Sequence, residues 1–199
     1  MLTLTYALVA LKVEQTKVQG RLAGLQQRVQ KERSRKITFE QDKMESLLGD
    51  FVLLDDACQS RNIELYVVPA LRSATSEANS VLADIEALTS MGRILLRNVR
   101  NNLRKAATQG VFDINDFFDS LESYCQNMMN RLKIEETHLL PLAQRFISGD
   151  EWFDIAAKFI SDESGRQVKK SYDAGSIGGG RASLPGTTLQ SNNMVQAAG

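Results

Sequence analysis

Apolar residues recur at steps of three and four along most of this 199-residue chain, which is the spacing of an α-helix with one buried face. The sequence contains three prolines and no clear run of alternating β-branched residues, so strands are not expected. The pattern predicts four long helices and a short closing one, at about residues 3–34, 38–73, 77–108, 113–146 and 151–160. Because short connections make neighbouring helices antiparallel, we expect an all-α, up-down-up-down four-helix bundle.

The second helix and the C-terminal residues depart from this regular pattern. We expect a break near Ser60, and Pro69 should kink the helix or mark its last turns, because proline lacks a backbone N–H. After about residue 165 the sequence becomes rich in Gly, Ser, Asn and Thr, a composition that cannot bury a core. The predicted organisation is a bundle over residues 1–165 followed by a flexible tail over 166–199.

The charged residues balance, with 24 Lys plus Arg and 24 Asp plus Glu. This balance gives no reason to expect binding to nucleic acid. A cluster of basic residues on the third predicted helix is most simply a solvated helix face. Its members are Arg93, Arg97, Arg100, Arg104 and Lys105.

Two features bear on the cellular compartment. Cys58 and Cys125 do not form a CxxC pair, so they do not indicate a zinc cage, and their apolar surroundings favour buried, reduced thiols over a disulfide. The apolar run that follows Met1 is too short to span a bilayer and has no basic residues before it, so we expect no membrane association. Both features favour a cytoplasmic protein.

The single histidine of the chain, His138, follows two glutamates in the segment RLKIEETHLLPLA (131–143). A comparable segment, SRNIELYVVPAL (60–71), lies on the second predicted helix. Each segment has a glutamate, then apolar residues, then proline and leucine; the glutamates are Glu64 and Glu135. On inward helix faces these carboxylates could meet across the bundle, as the bridging carboxylates of di-iron bundles do.

The segment SRNIELYVVPAL and the longer stretch EETHLLPLAQRFISGDEWFDIAAKF (135–159) resemble the bacterial hemerythrin-like (HHE cation-binding) family. The resemblance covers about residues 8–160. It implies a four-helix bundle that binds a non-haem di-iron centre, for oxygen or nitric oxide binding or for iron sensing and storage. It also places Glu64 and Glu135 at the two bridging-carboxylate positions of the family.

The histidine ligands of that family are missing from this chain. Ser60 and Arg61 stand where the second helix should offer two histidines, and Arg131 stands where the fourth should offer one. The corresponding positions on the first and third helices, near 14–15 and 89–91, have none. Because two glutamates alone make a poor site for ferrous iron, we expect the usual di-iron centre to be lost.

A buried glutamate without a partner is costly, so other side chains must compensate for the missing metal charge. Our hypothesis is that Arg61 and Arg131, three and four residues before the two glutamates, replace that charge through bidentate pairing. Lys12 and Gln15 of the first helix could complete this former-site network, which also includes Ser60.

Two alternatives remain open at this point. In the first, both arginines extend to solvent, with only their aliphatic stems buried. In the second, a metal binds through an atypical set of ligands. The best candidates for that set are Glu64, Glu135, Glu136 and His138.

The sequence therefore favours a non-catalytic regulatory or interaction module that needs no cofactor. The alternative is a metal-binding protein that uses non-haem iron for oxygen binding, sensing or iron handling, and a small-molecule sensor that uses the vacated cavity also stays open. No pairing of a nucleophile with a base and no phosphate-binding loop indicates an enzyme. We expect a protein partner of unknown identity and a monomer or homodimer.

Overall fold

The structure is a computed structural model that describes residues 2–35 and 40–176. All regular secondary structure in these ranges is helical, which confirms the predicted all-α class. Seven α-helices and two short π-helical segments follow one another along the chain. They are α1 (Leu2–Ser34), α2 (Gln41–Gln59), the first π segment (Ile63–Val67), α3 (Val68–Ala74), α4 (Asn79–Gln109), α5 (Ile114–Ile134), the second π segment (Glu135–Leu139), α6 (Leu140–Phe146) and α7 (Gly149–Ser176).

The helix termini follow local sequence signals. Helix α4 ends at Gly110, whose φ of 66° is a left-handed conformation that favours glycine. Helix α5 begins after Asp113, whose side chain accepts hydrogen bonds from the backbone N–H groups of Asn115 and Asp116. These two signals separate α4 from α5 by a short connection. The start predicted for the second helix near residue 38 lies outside the described residues, and α2 begins at Gln41.

The two π segments each precede a proline. The break predicted near Ser60 is confirmed, because α2 ends at Gln59, and Pro69 marks the last turns as predicted, because the helical path ends at Ala74. The N–H of Val68 donates to the carbonyl of Ile63, five residues back, and the second π segment ends in the same way before Pro141. A proline cannot donate to the carbonyl four residues back, and its ring crowds that carbonyl. The wider π turn accommodates both effects without ending the helical path.

The buried apolar side chains form two clusters. The first apolar cluster includes Val18, Leu22, Phe51, Leu54, Cys58, Leu96, Val99, Leu121, Tyr124 and Leu132. The second apolar cluster includes Ala7, Leu11, Ile63, Val67, Leu71, Leu82, Ile85, Leu139, Ala143 and Trp152. Four helical stretches contribute side chains to both clusters. Several buried polar side chains lie at the points where a stretch passes from one cluster to the other. These polar side chains include Gln15, Arg61, Asn62, Arg131 and Glu135.

The closing helix is longer than predicted. Trp152, Ile155 and Phe159 belong to the second apolar cluster, as their spacing indicated. The chain divides into two compact units, Met1–Ile160 and Ser161–Gly199, and the second unit is helical as far as Ser176. The prediction of a short helix ending near residue 160 was therefore wrong, and 166–176 of the predicted tail are helical. The rest of that tail, 177–199, lies outside the described residues.

None of the described helices contains a stretch that is long and apolar enough to span a bilayer.

The burial of the two thiols generates a first prediction. Cys58 and Cys125 are buried and free, as predicted, and burial raises the pKa of both thiols, that of Cys125 to about 12. Because the thiolate is the reactive form, neither residue should react with an aromatic disulfide reagent in the native protein at mildly alkaline pH. Both should react once urea unfolds the chain. A rapid reaction of one or both thiols in the native protein would contradict this packing.

Candidate functional site

Four charged side chains meet inside the protein, and we call them the Arg–Glu cluster: Arg61, Glu64, Arg131 and Glu135. Only 5% of Arg61, 2% of Arg131 and 1% of Glu135 is exposed, while the Glu64 side chain is 22% exposed. Both arginines are therefore buried and do not extend to solvent. Charges at such depth are tolerated only when each has a partner.

The bidentate pairing in the Arg–Glu cluster joins two distant parts of the chain. Arg61, just after α2, donates two hydrogen bonds to the carboxylate of Glu135, the first residue of the second π segment. Nη1 lies 2.9 Å from Oε2, and Nη2 lies 2.6 Å from Oε1. This fork-to-fork geometry is the strongest arrangement that a guanidinium and a carboxylate can adopt. The bidentate pair is thus formed across helices, whereas the sequence had suggested pairing within each helix.

Arg131 connects the two glutamates to each other. Its Nε donates to Oε1 of Glu135 over 3.1 Å, and its Nη2 donates to Oε1 of Glu64. Nη2 of Arg61 also lies 3.4 Å from that oxygen of Glu64. Each glutamate therefore contacts both arginines, and two positive charges balance two negative ones. Burial opposes the charge of Arg61, but the adjacent Glu135 outweighs it, so the pKa of Arg61 lies above its usual range.

The π segments set the positions of the two glutamates. Glu135 is the first residue of the second π segment, and Glu64 is the second residue of the first. A π turn inserts extra backbone into a helix and changes the direction in which side chains emerge, and such turns are frequent at functional sites. In the sequence, each glutamate precedes a proline by five or six residues, Pro69 and Pro141 respectively. That spacing was a usable signal for the π turns, but it does not reveal which arginine pairs with which glutamate.

Helix α1 supports the cluster through backbone contacts. Nε2 of Gln15, a buried side chain, donates to the carbonyl of Leu132 over 2.8 Å. The carboxylate of Glu14 accepts a hydrogen bond from the backbone N–H of Asn62 over 3.0 Å. These contacts hold α1 against the two chain segments that carry the arginines. The network thus extends to α1 through the hydrogen bond from Gln15 to the backbone, and not through a contact between Gln15 and the charged groups.

The remaining polar residues of the predicted network lie at the surface. Lys12 forms an ion pair with Glu136, and both side chains are about half exposed. The Ser60 hydroxyl lies 3.2 Å from the carbonyl oxygens of Asp56 and Ala57, at the end of α2. Lys12 and Ser60 thus make contacts outside the Arg–Glu cluster.

The atypical metal ligands suggested by the sequence are not brought together. Glu135 is buried, whereas Glu136 and His138 are exposed, and Nδ1 of His138 lies 2.7 Å from the hydroxyl of the adjacent Thr137. Within residues 2–35 and 40–176, no three His, Cys, Asp or Glu side chains are arranged to hold a metal ion.

The residues present do not fit a di-iron centre. The oxygens of Glu64 and Glu135 that would bridge two metals accept hydrogen bonds from Arg61 and Arg131. The two guanidinium groups would also repel a cation placed beside those oxygens. At the third-helix position, the hydroxyl of Thr89 donates to the carbonyl of Ile85 within its own helix.

A groove of about 360 Å³ gives solvent access to one member of the cluster. Glu64 contributes to the lining of this groove, together with apolar side chains of α3 and α4, among them Val68, Leu82 and Ile85. The groove accounts for the greater exposure of Glu64 relative to the other three charged groups. Of the four, Glu64 is thus the group most accessible from solution.

A second buried polar contact was missed by the sequence pattern, which placed Tyr124 on an apolar helix face. The Tyr124 hydroxyl donates to Oδ1 of Asp55 over 3.0 Å, joining α5 to α2 within the first apolar cluster. Burial, reinforced by the neighbouring Asp55 carboxylate, raises the pKa of Tyr124 above its usual range. Periodicity alone cannot identify such a pair, because a tyrosine packs its ring like an apolar residue.

No family model matches this chain, and no curated protein or solved structure shows a significant match to it. The resemblance to hemerythrin-like proteins therefore remains a prediction from the quoted segments.

The Arg–Glu cluster generates a second prediction, made with Arg131→Met. This change leaves the buried Glu135 and the partly buried Glu64 with one guanidinium fewer, and removing one partner of a buried ion pair typically costs ~3–5 kcal/mol. We expect the free energy of unfolding, measured by urea denaturation, to fall by about that amount. A variant as stable as the parent protein would contradict a compensating role for Arg131.

Two further variants distinguish the effect of breaking a buried ion pair from the effect of removing any arginine. Arg104→Met removes an exposed arginine and should change stability by less than ~0.5 kcal/mol. Replacing all four members of the cluster with apolar residues of similar volume removes both charges of each pair, so much of the stability lost in Arg131→Met should return. If the fourfold variant is much less stable than Arg131→Met, the single-site loss does not reflect an unpaired buried charge.

Proposed function

We propose that this chain is a hemerythrin-like, up-down-up-down four-helix bundle in which the Arg–Glu cluster replaces the cation site. It acts as a non-catalytic regulatory or interaction module in the cytoplasm. The observation that carries the proposal is the placement of the two arginines. Arg61 and Arg131 stand where the resemblance expects histidines, they are buried, and they bind the glutamates at the two carboxylate positions.

The two apolar clusters support the proposed up-down topology. Along α1 the buried residues belong first to the second apolar cluster and then to the first, and α4 repeats that order. From α2 into α3, and from α5 into α6, the order is reversed. Four helical stretches that alternate in this way run up, down, up and down between the same two clusters. Gln15, Arg61, Asn62, Arg131 and Glu135 are buried polar residues that lie where the clusters meet, and helix bundles build their metal centres in the core from side chains on facing helices.

The physical role of the cluster also supports the proposal. A metal centre links helices by binding ligands from each of them, and the contacts of Arg61 with Glu135 and of Arg131 with Glu64 make equivalent links. The partners are 74 and 67 residues apart in the chain. The charged groups thus hold the helices together, and both oxygens of Glu135 and Oε1 of Glu64 accept hydrogen bonds from the two guanidinium groups.

A non-catalytic role is supported by the state of the other reactive groups. Burial raises the pKa of Cys58 and Cys125, which disfavours their reactive thiolate forms. His138, which could serve as a general base, lies at the surface beside Thr137 and away from the groove at Glu64. General acid–base or nucleophilic catalysis needs such groups together in a pocket.

The third prediction tests the loss of the metal site. The protein, purified without chelators or a metal affinity column, is incubated with ferrous iron in air and freed of unbound metal. Its iron content and visible spectrum are then measured. We expect no stoichiometric iron and no oxo-bridge absorption, because guanidinium groups occupy the carboxylate oxygens.

A content near ~2 iron atoms per chain, with oxo-bridge absorption, would contradict the proposal and support a di-iron centre. Comparison with Glu136→Gln and His138→Gln would then show whether iron uses the atypical ligands Glu64, Glu135, Glu136 and His138. These two substitutions are surface changes that leave the Arg–Glu cluster intact, so a lower iron content would report a lost ligand. That result would support the alternative role in oxygen binding, sensing or iron handling.

A further inference from the structure

Helix α4 concentrates positive charge on its outer face. Residues 87–112 contain five basic side chains and no acidic ones, although the whole chain is electrically balanced. Four exposed arginines of α4 recur at steps of four, three and four, so they form a single line along the helix. We call these four residues, Arg93, Arg97, Arg100 and Arg104, the arginine line. It is about 16 Å long at the helical rise of ~1.5 Å per residue.

The carboxylates near the arginine line form no ion pair with it in the described residues. Glu64 and Glu86 line a groove with Arg93, and Asp113 and Asp116 line another with Arg104. Arg93 donates to the side-chain oxygen of Gln59 over 3.2 Å. In the part of the chain that the structure describes, neither the arginine line nor Lys105 forms an ion pair. The nearest acidic residues along the chain have other partners: Glu86 pairs with Arg72, and Asp113 accepts hydrogen bonds from the backbone N–H groups of Asn115 and Asp116. By contrast, Arg28 and Arg33 on α1 each pair with a carboxylate of another helix.

A second row of residues runs beside the arginine line. It consists of Met91, Ile94, Asn98, Asn101 and Lys105, which recur at steps of three and four; Asn101 is half-buried and the other four are exposed. This is the spacing of the contact positions of a coiled coil, in which a polar asparagine fixes the register of the pair. Met91 and Ile94 are 49% and 45% exposed, so the row presents apolar surface at one end. Arg97 and Arg104 flank the row at the positions where coiled coils carry the charged residues that form salt bridges between helices.

We propose that the outer face of α4 binds an acidic amphipathic helix of a partner protein. Apolar side chains of that helix would pack on Met91 and Ile94, and its carboxylates would pair with the arginine line. A helix fits because carboxylates three and four residues apart repeat at the same intervals as the arginines. A second copy of this chain does not fit, because the same face would oppose arginines to arginines. The inference rests on the proposed interaction role and names the class of its partner.

The fourth prediction tests this surface with a defined probe. The probe is a fluorescein-labelled synthetic helix with leucines at its contact positions and glutamates flanking them, titrated with the full-length protein and followed by fluorescence anisotropy. Arg97→Glu combined with Arg104→Glu should weaken binding by about tenfold or more, which corresponds to ~1.4 kcal/mol or more. Higher salt should weaken the binding of the parent protein.

The matched control is Lys17→Glu combined with Arg21→Glu, which makes the same charge change at two exposed positions of α1. This control should bind the acidic helix about as well as the parent protein. Met91→Ser combined with Ile94→Ser should weaken binding without a change in charge, because it removes the apolar end of the row. Circular dichroism and urea denaturation confirm that each variant remains folded.

Several outcomes would overturn the proposal. They are the absence of binding, an equal loss in the α1 control, or equal binding of a glutamate peptide that cannot form a helix. Tighter binding to a single-stranded oligonucleotide or to vesicles with anionic lipid would assign the surface to another class of partner. An iron-free protein that fails to bind the acidic helix would overturn only this inference, whereas stoichiometric iron would contradict the proposed loss of the metal site.

Discussion

The pairing of charges inside the helical core is the constraint on which the rest of the structure depends. Arg61, Arg131 and Glu135 are almost fully buried, and each would be strongly destabilising without its partners. A buried ion pair adds little stability compared with apolar packing, but removing only one of its two charged partners is costly. Helical arrangements that separate the arginines from the glutamates are therefore penalised.

This constraint accounts for the division of the core, and the π turns that accommodate the two prolines position two of the charged groups. The two apolar clusters meet at the level of the charged groups, where α1 contributes Gln15 and Glu14 through contacts with the backbone of the neighbouring segments. The π segments before Pro69 and Pro141 bring Glu64 and Glu135 into reach of both arginines. If the bundle is a hemerythrin-like protein, the same positions that would hold metal ligands now hold groups that bind one another.

The sequence predicts the helices well because periodicity is a local property. The all-α class follows from the spacing of apolar residues, and the helix boundaries near Ser60 and residue 108 lie within a few residues of their predicted positions. Arg61 pairs with Glu135 because the π turns change the direction in which side chains leave the helix. A regular α-helical pattern read from the sequence does not include that change. The burial of both arginines, and the pair of Tyr124 with Asp55, likewise depend on the packing of distant helices.

The central claim is that Arg61 and Glu135 stabilise the fold as a pair. A double-mutant cycle tests it most directly, with the free energies of unfolding of the parent, Arg61→Met, Glu135→Leu and the double variant measured by urea denaturation. We expect each single change to lower the free energy of unfolding, and the double variant to lose less than the sum of the two single losses. The expected coupling energy is ~1.5 kcal/mol or more. Additive effects, within ~0.5 kcal/mol, would contradict it and show that the buried contact does not hold the fold together.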